Sequence, residues 1–152
     1  MSQENLEVVR RYYEAVQRAF RAYWEDPRSV ADSLQAGDVP PVAVEMIRCL
    51  HPDAEWKTAL TGITYRGYSE LAGGFDQTVE AAQTYGIEIQ AVTDLGGDQV
   101  LAVVEAGMTG KASDIDVKAV IFALVTVRDG LITRMDEYLE RAEALEAAGL
   151  GE

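Results

Sequence analysis

At 152 residues, 48% apolar and 26% charged, the chain reads as one globular domain, 1–152, large enough to bury a real core. Its net charge of −13, from 26 acidic and 13 basic residues, opposes nucleic-acid binding and docking on anionic membranes, both of which run on clustered Lys and Arg. One cysteine, Cys49, excludes an internal disulfide, and one histidine, His51, excludes a His-based metal cluster.

The N-terminal stretch is polar and starts a helix, so it does not read as a signal peptide, and the longest apolar run, 119–125, is too short to span a bilayer. A cytoplasmic protein is the expectation. Apolar residues at 6, 9, 13, 16, 20 and 23 predict an amphipathic helix from Glu4 to Trp24. Asp26, Pro27 and Gly37 supply the cap, first-turn and stop signals of a second helix. A third starts at Pro40 and Pro41 and runs to about Leu50, with Cys49 as a small buried hydrophobe. His51, in "HPD", is read as a turn residue that satisfies free backbone groups.

A short strand follows at 54–60, with Trp56, Thr58 and Leu60 on one face, and a turn-rich segment at 61–67. Residues 68–86 predict a helix weakened by Gly73 and Gly74 and stopped by Gly86. Four strands come next, at 87–94, 99–109, 115–127 and 131–139, the last two joined by the hairpin signal "RDG". A short helix ends the chain. Helices set apart from consecutive strands with tight turns predict an α+β fold with an antiparallel sheet.

Alternation assigns the faces of that sheet. In 115–127 the odd positions are all apolar and meet the helices. The even positions include Val120, Phe122 and Leu124, an apolar centre with no helix left to cover it. The expected cover is a second copy of the chain, a homodimer through Val120, Phe122 and Leu124. Glu105 and Lys118 share that outer face as a structural pair. In 131–139 the odd set Leu131, Thr133, Met135, Glu137 and Leu139 carries one charge, and the even set carries Arg134 and Asp136. The odd set is therefore the interior set, which turns Glu137 inward and Asp136 outward. An inward acid on an apolar face has a raised pKa and is a candidate acid or base. The competing reading is a structural acid paired with Arg10 or Arg11. A β-bulge between 131 and 137 would shift the register and exchange the two acids.

The stretches "LHPDAEWK", "TYRGYSEL", "VRDG" and "EYLERAEALEAAGL" together resemble the SnoaL-like branch of the nuclear transport factor 2-like superfamily. The resemblance covers nearly the whole chain apart from a longer helical excursion at about 25–45. It implies a cone-shaped, curved antiparallel sheet wrapped on N-terminal helices around an apolar pocket, and a dimer packed through the outer sheet face. No cofactor is expected. Activity does not follow from the fold, because the superfamily holds isomerases, cyclases, epoxide hydrolases, dehydratases and plain binding modules. Its ketosteroid isomerases use an Asp base on the first strand, a second Asp on the penultimate strand and a Tyr on the first helix. The matching positions here are Thr58, Ala123 and Tyr12, so that isomerisation is not expected. Its epoxide hydrolases use an Asp–Arg–Asp set; Glu137 resembles the last acid, but Val104 and Ala106 stand where the others would be.

Glu137 is thus the one catalytic candidate. Tyr12, Tyr13, Trp56, Thr58, Val104, Ala123 and Met135 are the ligand-contact candidates, with no metal site. Two readings follow: a pocket that binds a small apolar or polyketide-like molecule with acid/base chemistry at Glu137, or a non-catalytic binding or accessory protein.

Overall fold

The structure, a computed structural model, describes residues 2–25, 36–37, 41–59, 61–80, 82–110 and 116–150. Helix α1 (Ser2–Glu25) follows the predicted apolar row. Val9, Tyr13, Val16 and Phe20 are buried along it, while Arg10, Arg11, Glu14 and Arg18 face solvent. Helix α2 spans Pro41–Cys49. The helix expected between Asp26 and Gly37 lies outside the described residues apart from Ala36 and Gly37, and Gly37 has the left-handed φ of 79° that suits a stop.

Six strands form one sheet in the order β2-β1-β6-β5-β4-β3. They are β1 (Leu50–Lys57), β2 (Thr64–Arg66), β3 (Ala82–Gly96), β4 (Gln99–Gly110), β5 (Asp116–Arg128) and β6 (Leu131–Tyr138). Helix α3 (Gly67–Glu80) lies between β2 and β3, and α4 (Arg141–Ala147) ends the fold. The sheet is mixed: every pair is antiparallel except β1 with β6, which run parallel. Alternation within one strand carries no information on the direction of a partner fifty residues or more away, so this pair is not legible in the sequence.

The segment 61–67, read from the sequence as turn-rich, contains the short strand β2, paired with the end of β1, and three boundaries also differ from the sequence reading. The strand at β1 starts at Leu50, not after "HPD". Pro52 has no N–H to give a ladder, and here it sits in a bulge: Leu50 pairs with Ile132 and the next pair is Glu55 with Arg134. His51 serves that bulge, its Nδ1 accepting the Asp53 backbone N–H at 3.0 Å. The strand also stops at Lys57. Thr58 turns away, its N–H donating to the Ile63 carbonyl at 3.0 Å, so it does not share a strand face with Trp56. Finally, α3 ends at Glu80 and the residues expected to continue it begin β3, paired from Ala82–Gly110 onward. A ladder with β4 outweighs the helix propensity of an Ala-rich segment, since propensity is a weak prior against tertiary pairing.

The core lies between the helices and the inward sheet face. Val100, Ala102 and Val104 of β4, and Ala123, Val125 and Val127 of β5, form its floor, all buried. Phe20 of α1 stacks on Phe75 of α3 with ring centroids 4.4 Å apart, closing the layer above. On the outer face Lys118 meets Glu105 at 3.8 Å, the expected pair. Val120 there is 42% exposed and Phe122 half-buried. Leu124 is different. It is buried within the single chain, opposite the equally buried Leu101, where α4 packs on β5 and β6 with Ala144 fully enclosed. The chain's own last helix covers that end of the face, so Leu124 is not free for a second copy.

Candidate functional site

Strand β6 contains the bulge that the sequence reading raised as a threat to Glu137. Val127 pairs with Ile132, but Thr126 pairs with Arg134, which leaves Thr133 as the extra residue. The inward row is consequently Ile132, then Met135 and Glu137, and the strict odd alternation fails at its start. Leu131 and Thr133 are half-buried, whereas Ile132 is fully buried. From Arg134 onward the register is regular, with Met135 opposite Val125 and Glu137 opposite Ala123. The bulge thus precedes the acids and switches the inward parity after Ile132, so that Glu137, and not Asp136, faces in. Asp136, opposite Leu124, faces out and accepts from Arg134 Nε at 2.7 Å.

Glu137 lines a cavity of about 110 Å³ enclosed by α1, α2, α3 and the inward sheet face. An apolar void of roughly 150 Å³ holds a benzene-sized molecule, so this space is on the scale of a small ligand. Of the other sequence candidates, Tyr12, Tyr13, Trp56, Val104 and Met135 line it. Thr58 and Ala123 do not. Thr58 leaves with the turn after β1, its hydroxyl bonded to that of Thr61, and the Ala123 methyl is fully packed in the sheet floor. Lining residues outside the candidate set include Met46, Tyr68, Leu71 and Ile121. Tyr68, Leu71, Ala72, Phe75 and Thr78 occupy one helical row, i, i+3, i+4, i+7 and i+10, and that spacing was the signal that could have found them.

Two neutral donors hold the Glu137 carboxyl. The Ala59 backbone N–H donates to Oε1 at 3.2 Å, and the Trp56 indole N–H donates as well. Burial pushes the Glu137 pKa up from its ordinary value of 4.5, and the two donors pull against that without cancelling it. Among the described residues no Arg, Lys or His pairs with it; Arg10 and Arg11 are exposed on α1. Tyr12 and Tyr13 feel the Glu137 charge on top of their own burial, and both hydroxyls are pushed above their usual range, so they remain O–H donors at neutral pH.

Trp56 is positioned from behind. A Cβ on Gly74 would lie 2.9 Å from both the Trp56 and the Tyr65 ring, so α3 can approach these aromatics only where it has no side chain. Tyr65 leans on Trp56 at 5.4 Å between ring centroids, and its hydroxyl donates to Gln77 Oε1 at 2.9 Å. The glycine that weakens α3 as a helix is thus what lets the Trp56 indole sit over the cavity. Among the described residues no three His, Cys, Asp or Glu side chains are grouped closely enough to hold a metal ion. No described helix is long and apolar enough to cross a membrane.

Comparison with known proteins agrees with this architecture. No curated protein is significantly similar to the chain in sequence. Among solved structures, a SnoaL-like polyketide cyclase, so described, from a Jannaschia species superposes with a TM-score of 0.66 at 14% identity, over 99% of this chain and 94% of that one. A hypothetical protein of Catenulispora acidiphila with a ketosteroid isomerase-like fold, solved with trimethylamine, gives 0.64 at 16% identity, over 95% and 93%. The epoxide hydrolase/cyclase-like enzyme SalBIII, of pyran ring formation in salinomycin, gives 0.63 at 17%, over 91% and 92%. Identities this low show a shared fold, the α+β cone of the nuclear transport factor 2-like proteins. The SnoaL-like domain model matches residues 9–135, most of the sequence, and the chain belongs to the SnoaL-like domain family.

Proposed function

We propose that the cavity binds a small apolar, polyketide-like molecule and that Glu137 does acid/base chemistry on it. The observation that carries this is the Glu137 carboxyl itself, at the wall of an otherwise apolar and aromatic cavity, held by two N–H donors and raised in pKa by burial. A carboxylate so placed is a stronger base than one in water, and its two donors fix the direction in which a proton leaves or arrives. The reaction class that fits is proton transfer at a carbon or hydroxyl of the bound molecule, with the Tyr12 and Tyr13 hydroxyls as donors toward an oxygen that gains charge.

A second reading, binding without turnover, is supported by a different observation. Among the described residues, none other than Glu137 that lines the cavity is a carboxylate, Lys, Arg or His, so no second group that titrates near neutral pH stands opposite it. We further propose that the working form is a homodimer through the outer face at Val120 and Phe122, whose exposure supports a cover there.

The test is a thermal-shift screen of compact aromatic ketones and phenols on wild type and Glu137→Gln, followed by proton–deuterium exchange on the ligands that bind. Base chemistry predicts wild-type exchange at the carbon next to the carbonyl, slowed roughly 10²–10⁴-fold by Glu137→Gln. Binding with no exchange above the variant's level would leave the second reading, and no binding at all would remove both.

A further inference from the structure

We propose that the ligand bears a substituted ammonium group on its apolar frame, with the Glu137 carboxylate as its counter-ion and the surrounding aromatic rings as its wall. The inference rests on the reading that this cavity is a ligand site with Glu137 at its polar end, and it holds for both the acid/base and the binding-only versions.

The first argument is charge. Among the described residues the cavity wall contains one ionisable carboxyl and no Lys, Arg or His, and the groups that reach Glu137 from β1 and the turn after it, the Trp56 indole and the Ala59 amide, are both neutral. A half-buried carboxylate that faces an apolar cavity without a positive partner is costly, and a bound cation supplies what the fold leaves out. An anionic ligand would meet like charge with nothing to offset it. The net charge of −13 adds a field that gathers cations and repels anions.

The second argument is the wall. Tyr12, Tyr13, Phe20, Trp56, Tyr68 and Phe75 place six aromatic rings around the space. Ring faces attract an ammonium group most when water is excluded. A plain hydrocarbon would be served equally well by Leu and Val.

The third argument selects the kind of cation. A primary ammonium brings three N–H donors that each need an acceptor. Apart from the carboxylate, the wall's side-chain oxygens are hydroxyls alone, those of Tyr12, Tyr13, Tyr68 and Thr78, each a weaker acceptor for an ammonium N–H than a carboxylate. A tertiary or quaternary ammonium asks for one acceptor or none and presents methyl groups to the rings. It suits a wall rich in rings and poor in acceptors.

The experiment compares two ligands of one shape, phenyltrimethylammonium and its neutral carbon isostere tert-butylbenzene, by NMR titration at physiological salt. On wild type at pH 8 the cation is expected to bind about tenfold more tightly than the isostere. That preference should vanish in Glu137→Gln and should fade in the wild type as the pH is lowered and Glu137 takes a proton. The wild-type pH series keeps the test independent of how the variant folds. Equal binding of the two ligands would overturn the ammonium inference and leave the ligand-site reading standing. An undiminished cation preference in Glu137→Gln would also overturn it, because attraction to the acidic surface would then be the cause. Binding of neither ligand would overturn this inference, and the ligand-site reading would then fall with it if the ketone and phenol screen is equally empty.

Discussion

Asp136 and Glu137 are neighbours in sequence and differ by one methylene, yet they belong to different environments. Asp136, on the outer face of β6, meets Arg134 at 2.7 Å within its own strand, with the arginine half exposed. Glu137, on the inner face, has two neutral N–H donors and a ring-lined cavity. One acid is neutralised where neutralisation contributes little to stability, and the other is left unneutralised where that is costly. The strand's period of two separates them. The bulge at Thr133, by preceding both, decides that Glu137 is the inward one.

The sharpest way to break this comparison is at the bulge. If Ile132 begins the inward row, Ile132→Ala should cost about 2–5 kcal/mol in urea unfolding, and Leu131→Ala under about 1 kcal/mol. A strand alternating strictly from Leu131 would reverse the order of the two costs.

Next in size is the support behind Trp56. Gly74→Ala puts a methyl 2.9 Å from two rings and should cost about 1–3 kcal/mol. Gly73→Ala, in open space on the same helix, should instead stabilise by about 0.5–1 kcal/mol. Denaturant melts of the two variants would show opposite signs, and equal signs would mean that Gly74 is no contact point.

The pH dependence of Glu137→Gln is a smaller effect with a definite sign. Burial raises the folded pKa of Glu137 above its ordinary 4.5, so its stabilising contribution belongs to the protonated form. That contribution is fully present below pH 4.5 and is lost as the pH rises through the folded pKa. Removing the group removes the loss. The stability of Glu137→Gln minus that of wild type should therefore increase with pH across this window and level off above it, as thermal melts at stepped pH would show. A difference that falls with pH would place the carboxyl in a stabilising ion pair instead.

Asp136→Asn should do least. An ion pair with Arg134 half-exposed is worth roughly 0.2–1 kcal/mol, and the cost should shrink when melts are repeated at about 1 M salt.

The candidate site was legible in proportion to how local its causes are. Tyr12 and Tyr13 come from a regular amphipathic helix and line the cavity as expected. Met135 and Glu137 came out inward although the parity argument started from Leu131, because the extra residue falls before them. Thr58 was misplaced because the end of β1 is set by where β6 stops pairing with it, at Lys57–Asp136. Leu124 was misassigned because the helix that covers it arrives from the far end of the chain.

By itself the sequence determined the amphipathic α1, the β5–β6 hairpin at Asp129–Gly130 and the acidic charge, properties of composition or of short-range periodicity, and it carried the SnoaL-like membership as a resemblance of whole stretches. The tertiary structure alone decided the parallel β1–β6 pair, the bulge at Thr133, the close approach that Gly74 permits and the absence of a cation beside Glu137 among the described residues. Each of these depends on which distant segments meet, and neither a period of two nor one of 3.6 encodes a partner.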